Sequence, residues 1–483
     1  DNLCEQGTTF HQMHCVHPLC SPARTAWQTG RYVHSHGYWM NGCEPSLDEI
    51  YQAQVFREAG YSTALVGKGH LSPTHGDYRK YLDSVQIING ISEPECEAFW
   101  ESCNRDYFGF SYVRLAPGHG ERVLNGGHYW LWMKKNNPEY FPLFKKPADA
   151  NYATWDSKVP IEVHPCRWIT DSAIHYLESR KNSASPFYLW VGYQEPHMPY
   201  APPAPYSHMY NPKEMPIPRG READWIQNPN LITEHFLTRK GFDQMPDETG
   251  QQIIARYYGA VSMVDDEVGR LLNALARLNI EKDTIIIFTS DHGDWMGDHG
   301  LWQKGGIHTH GMTRIPFIIK WKDHIPAGKR INGVTSQVDI ASTLYDFAGI
   351  QAPYGIQGAS FLSAICENGR LSRAYALVES RYESQKNNPD YVRRYDNNRE
   401  ERRRMGINPF DRDIIIKTLV TDNHRFTYIP LLGKGELFDL CDDPFELHNI
   451  WDEDPDLVTQ FRLQLLDVLM ESEDPLMQRI SRL

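Results

Sequence analysis

The 483-residue chain lacks any apolar run near the ~20 residues that a membrane-crossing helix needs; its longest runs, Pro186 to Val191 and Thr284 to Phe288, are far shorter. Positive charge is also in deficit. Forty-nine basic against 62 acidic side chains leave a formal charge of −13, so the whole-protein field does not favour nucleic acid, and an anionic substrate needs a local cationic pocket. Cysteine is sparse, nine residues at irregular spacing. That excludes a disulfide framework, leaves at least one thiol unpaired and offers no Cys-x-x-Cys zinc repeat. Internal repeats and low-complexity tracts are missing too. The chain opens at Asp1 without a leader pattern, so an origin downstream of a longer start is expected and localisation stays unassigned.

What is present is ordinary globular composition, 41% apolar and 23% charged, with length for two domains. Helical patterns at Pro22 to Gly30, Ser46 to Ala59, Arg167 to Arg180 and Gln251 to Leu278 alternate with strand-like Ser62 to Val66, Phe187 to Tyr193 and Thr284 to Thr289. This predicts an α/β fold, a largely parallel sheet flanked by helices, over residues 1 to 370. Residues 371 to 483 carry strand-like Tyr375 to Glu379, Ile414 to Thr421 and Arg425 to Ile429, then a helix near Asp456 to Glu471, which predicts a smaller α+β domain. The mixed-charge stretch Arg393 to Arg404 reads as a solvated or ion-paired surface. Residues 97 to 155 are irregular and rich in aromatics, which fits either a long insertion over a cleft or a satellite hydrophobic cluster.

Four short segments carry chemistry. Cys20-Ser21-Pro22-Ala23-Arg24 opens a predicted helix, with Ser21 suited to a cap and Pro22 to the first turn, so Cys20 falls beside the N–H groups and positive end of the helix. An anionic nucleophile or oxyanion is stabilised there, and Arg24 lies one turn on. A cysteine near a helix start is otherwise a small buried hydrophobe. Gly67-Lys68-Gly69-His70 closes a strand, and the two-residue repeat of strands predicts Lys68 and His70 on one face. Glu195-Pro196-His197-Met198-Pro199 follows the next strand, where open α/β sheets place ligands. Ser290-Asp291-His292-Gly293-Asp294 follows the third, where a carboxylate can meet a hard dication, and Lys304 comes shortly after. Asp294, Asp298 and His299 read as loop-fixing residues, and His308 and His310 as two histidines without a third metal ligand.

In this order the four segments resemble the signatures of the formylglycine-dependent (type I) sulfatases of the alkaline phosphatase superfamily. Gly435 to Leu440 with Asp443 to Asn449 resembles the ending common in that family. The resemblance implies hydrolysis of sulfate monoesters to an alcohol and inorganic sulfate. It implies that Cys20 is converted to formylglycine by a formylglycine-generating enzyme and becomes the nucleophile. Arg24, Lys68, His70, His197 and Lys304 would be catalytic, with His70 a base and His197 or Lys304 assisting the leaving group. Asp291 and His292, with residue 20, would bind Ca2+, or alternatively Mg2+ or Mn2+. The family's first strand carries an Asp-Asp pair with no match here; Asp1 aligns with the following helix, so that strand is expected upstream. Phosphonate monoester and phosphodiester hydrolases share the Cys-x-Pro-x-Arg segment and the Asp-His pair and are the nearest rival, with a non-catalytic truncated product as a rival of another class. The expected substrate is a small-molecule or saccharide sulfate ester.

Overall fold

The computed structural model describes every residue except 44, 47, 74–79, 151, 182, 239–243, 368, 370, 372, 383–412 and 474–483. The arginine-rich stretch 393–404 thus lies outside the described residues. Strands β2 (Ser62–Gly67), β3 (Tyr112–Leu115) and β4 (Phe187–Gly192) form a parallel sheet in the order β3-β2-β4. Parallel strands are covered on both faces, and accordingly Thr63 to Gly67 of β2 are all buried. The helix Pro165–Ser179 makes the crossover into β4 and packs Ile169 and Ala173 against Val66.

A second sheet holds β1 (Thr8–His14), β5 (Ile286–Thr289), β6 (Arg314–Lys320) and β7 (Lys329–Ser336) in the order β5-β6-β1-β7. Here β1 is parallel to β7, while β6 runs antiparallel to both β1 and β5. The third sheet is antiparallel, β11-β10-β9-β8, built from β8 (Ala376–Tyr382), β9 (Ile414–Val420), β10 (His424–Ile429) and β11 (Lys434–Asp439). The helix Pro455–Glu471 covers it, packing Val458, Phe461 and Leu465 with Leu419, Phe426 and Leu437. The expected α/β architecture and separate C-terminal sheet are both present. No helix among the described residues is long and apolar enough to cross a membrane.

Two expectations change. The helix read over Ser46 to Ala59 is shorter, Gln52–Glu58. Residues 97–155 are not a structureless insertion: they contribute β3 to the sheet and the helix Gly127–Asn136, and bury Trp100, Tyr107, Phe110 and Trp130 with Leu65 and Trp190 in one core cluster. Of the two readings of this segment, the hydrophobic cluster is the one that holds.

Among the described residues β4 pairs only with β2, and β5 only with β6. Their other edges line one cleft of about 1700 Å³, walled by apolar side chains such as Leu177, Leu275 and Phe347. Toward the C-terminal ends of the strands the lining changes to Arg24, Lys68, His197, Asp291, His292 and Lys304.

Candidate active site

Cys20 is the first residue of the helix Cys20–Thr29 and is buried. Pro22 sits in the first turn, where its missing N–H costs no hydrogen bond. Three nitrogens surround the thiol: Lys304 Nζ at 2.9 Å, His292 Nε2 at 3.3 Å and Lys68 Nζ at 3.4 Å from Sγ. Burial alone would raise the thiol, but Lys304, Lys68 and His292 together outweigh it and hold Cys20 well below its ordinary value. The same confinement lowers Lys68 to about 8, burial being the largest cause, partly offset by Cys20.

Arg24, one turn along the helix, donates through Nε to Asp291 Oδ2 at 2.8 Å and through Nη1 to the carbonyls of Lys68 and Gly69 at 2.8 and 3.1 Å. It therefore ties the ends of β2 and β5 together. Burial opposes ionisation of Asp291, yet His292 and Arg24 hold its carboxyl far below the usual range. His292 donates from Nδ1 to the carbonyl of Gly293 at 2.8 Å, which leaves the Nε2 lone pair facing Cys20 and Lys304. Lys304 Nζ lies 3.2 Å from that nitrogen.

Cys20, Asp291 and His292 bring one sulfur, one carboxylate and one imidazole within 4.8 Å of one another. An imidazole whose other nitrogen is fixed by a carbonyl suits a metal ligand, so this set fits a divalent cation. Three donors with a single carboxylate fall short of the 6 to 8 oxygens typical of calcium, so further ligands are needed.

His197 lines the same cleft but makes no hydrogen bond to Cys20 among the described residues. His70 departs further from expectation. β2 ends at Gly67, so Lys68 and His70 have left the strand and do not share a strand face. His70 takes a left-handed φ of 55°, and its buried Nδ1 has no hydrogen-bond partner. Asp294 accepts from Tyr200 Oη at 2.8 Å and the Met296 amide at 3.1 Å, as a loop-fixing residue should. His308 sits between Thr418 and Ser380, and His310 beside His14.

Sequence reasoning missed His119, whose ring stacks on His197. The available signal was faint: a histidine between two glycines just past a strand. It also missed Gln337, which donates to the main-chain carbonyl of Asp291 at 3.3 Å. A second group, His164, Cys166 and Glu195, is joined by hydrogen bonds. Cys166 Sγ donates to Glu195 at 2.8 Å, and His164 Nδ1 accepts from the Cys166 amide at 3.3 Å. That places the His164 proton on Nε2, toward Glu195 3.6 Å away, so the group braces the loop that carries His197.

A nucleophile at a helix start, ringed by cations beyond the C-terminal ends of β2 and β5, defines an alkaline-phosphatase-like hydrolase. The Sulfatase family profile matches residues 1–350. The chain belongs to the sulfatase family and is a sulfuric ester hydrolase. It is 26% identical over 483 residues to an arylsulfatase of Clostridium perfringens, covering 93% of this chain and 84% of that one. It is 25% identical over 507 residues to an N-acetylglucosamine-6-O-sulfatase of Bacteroides thetaiotaomicron, covering 93% and 77%. Its fold is similar to that of a phosphonate monoester hydrolase from Silicibacter pomeroyi, with a TM-score of 0.77 and 21% identity over 98% of this chain and 90% of that one. Sulfatases are generally metal-dependent and use formylglycine.

Proposed function

We propose that the chain hydrolyses sulfate esters through residue 20, matured from cysteine to formylglycine by a formylglycine-generating enzyme, with saccharide sulfates as the substrate class. The observation that carries this is the convergence of Lys304, Lys68 and His292 on the Cys20 sulfur. Formylglycine would supply an oxygen nucleophile, and a divalent cation held by Asp291, His292 and residue 20 would supply Lewis acidity, calcium being favoured over magnesium or manganese. A sulfate ester is an anion that repels an oxygen nucleophile, so its charge must be neutralised before attack. Lys68 and Lys304 stand where they can hold the sulfuryl oxygens. Arg24 fixes Asp291 and the chain after β2, which keeps the lysines and the nucleophile in register. Lys304 can give a proton to the departing alcohol oxygen, and His197 can do the same once Nε2 has been protonated. His70, three residues beyond the end of β2 and with a buried Nδ1 that has no hydrogen-bond partner, would be the base. The N-acetylglucosamine-6-O-sulfatase relative supports a sugar as the alcohol.

The donor shortfall and the cleft between β4 and β5 leave a place for further carboxylates beside Asp291.

The test is peptide mass spectrometry of Cys20 to Arg24 from cells containing the maturation enzyme, which should show an aldehyde in place of the thiol. It is paired with kcat/KM on matched 4-nitrophenyl sulfate, phenylphosphonate and phosphodiester substrates and on sulfated saccharides. A phosphonate or diester preference above about a hundredfold, roughly 2.7 kcal/mol, would replace the sulfatase reading with its rival.

A further inference from the structure

β3 ends at Leu115, and four residues later His119 reaches the site from the strand on the far side of β2. Its ring lies face to face on His197, with centroids 3.6 Å apart and planes inclined by 7°. So close a contact needs the turn 118–120 to press against the 196–199 loop. Gly118 and Gly120 both have left-handed φ, 86° and 55°, and a Cβ on Gly120 would stand 2.8 Å from Pro199 Cγ. Only glycine allows that approach without strain.

His197 is held at a second point. Its Nδ1 donates to the Met198 carbonyl at 2.6 Å, so the neutral ring carries its proton there and the lone pair at Nε2. The carbonyl sets the tautomer, but a single hydrogen bond leaves the ring free to swing about it. The His119 face removes that freedom. His119 Nδ1 is buried without a hydrogen-bond partner, so that atom contributes no anchor and the ring face is the contact on offer. The groups that face His197 are Lys304, Lys68, Cys20, His119 and the Met198 carbonyl. Burial first, then the two lysines, hold His197 well below its ordinary range, and burial with His197 and Lys68 does the same for His119. The stack is therefore between neutral rings near pH 7.

We propose that His119 is a positioning residue of this site, whose ring, stacked on His197, fixes the plane in which His197 presents Nε2 to the leaving-group oxygen. The proposal rests on the sulfatase reading for the leaving group, but not for the clamp itself. In the neutral ring Nε2 has no proton to give, so His197 serves the leaving group only after Nε2 has taken one up from solvent; both transfers need a fixed ring plane, since small misplacements cost rate steeply.

Three variants test it: His119→Ala removes the stacking face, His119→Phe keeps a ring but no nitrogen, and Gly120→Ala displaces the turn while leaving both rings. In matured full-length protein, His119→Ala should lower kcat about tenfold to a hundredfold with KM changed less than about threefold, and His119→Phe should stay within about threefold of wild type. Ring-nitrogen NMR of His197 in the unmatured chain gives a readout free of turnover. All forms should keep the Nδ1–H tautomer set by the Met198 carbonyl; wild type and His119→Phe should show sharp His197 ring signals from one orientation, and His119→Ala signals broadened by exchange between orientations. Should His119→Ala not fold, Gly120→Ala should show the same broadening. Unchanged kcat and an unchanged His197 spectrum in His119→Ala would overturn the proposal, as would equal losses in the Phe and Ala variants. If wild type itself turned over no sulfate ester, the sulfatase reading would fail while the NMR comparison still decided the clamp.

Discussion

Two buried arginines do opposite things in this molecule. Arg425, fully buried in β10, donates to Glu446 through Nε and to Glu436 through Nη1 at 2.8 Å, so two carboxylates close around one guanidinium. Arg24 meets one carboxylate, Asp291, and beside that pair Lys68 and Lys304 donate to the sulfur of Cys20. The first cluster turns its charges on one another, two carboxylates against one guanidinium, with Arg425 Nη2 left without a hydrogen-bond partner. The second has its cations arranged around a position where chemistry places an anion. Buried charge that is matched residue by residue holds structure, and removing one partner is costly. Buried charge arranged around a nucleophile raises the affinity of the site for a tetrahedral anion at the moment charge develops.

The sharpest test of that contrast is Cys20→Ala. It should lower kcat/KM by at least about a thousandfold while the urea midpoint barely moves, because a small buried side chain replaces another. Glu446→Ala should do the reverse, lowering stability by about 3–5 kcal/mol in urea unfolding while activity per folded molecule is kept. If Glu446→Ala abolished turnover in fully folded protein, the two clusters would not be separable. Lys304→Met should fall between, losing about a hundredfold in kcat with little change in unfolding, and unchanged kcat would remove Lys304 from the site.

A smaller effect follows from pH. Burial lowers both His36 and His308 to about 3, below the ~6.5 of an unfolded chain. The unfolded state then takes up protons that the folded state refuses, so their contribution to stability is full above about pH 6.5 and is lost as pH falls toward 3. The thermal midpoint should drop between pH 7 and pH 5, and His308→Gln, which can still hydrogen-bond Thr418 and Ser380, should flatten the drop. A midpoint equal at the two pH values would show that these histidines titrate normally.

What could be read from the chain was what is local. Cys20 to Arg24 is a helix start with its own logic, and the polar segments after β2, β4 and β5 lie where strands of this fold end, so Lys68, His197, Asp291, His292 and Lys304 were all legible. The strands β6 and β7 were not assigned, and β1 was missed because Thr8-Thr9-Phe10-His11-Gln12-Met13-His14 has too few apolar residues to announce a strand. It is buried by β6 and β7 on either side, partners distant in sequence. The aromatic segment 97–155 stayed open between an insertion and a hydrophobic cluster, since Trp100, Phe110 and Trp130 are core residues whose partners Leu65 and Trp190 are likewise distant in the chain. The shared strand face of Lys68 and His70 does not hold because the two-residue repeat was carried past the last residue of β2. His119 was invisible because its ring stacks on one about eighty residues away.

The edge of β4 that has no partner among the described residues has a consequence on a different axis, that of time. In a parallel strand successive amides point to opposite neighbours, so along β4 every second N–H is bonded to β2 and those between face the cleft. Deuterium should therefore enter β4 with a two-residue rhythm, slow at the amides held by β2 and fast at the alternate ones, although both belong to the same buried sheet. Occupation of the cleft by another strand would silence the fast set and leave the slow set as it was, so the exchange pattern of six residues reports whether the two sheets have become one.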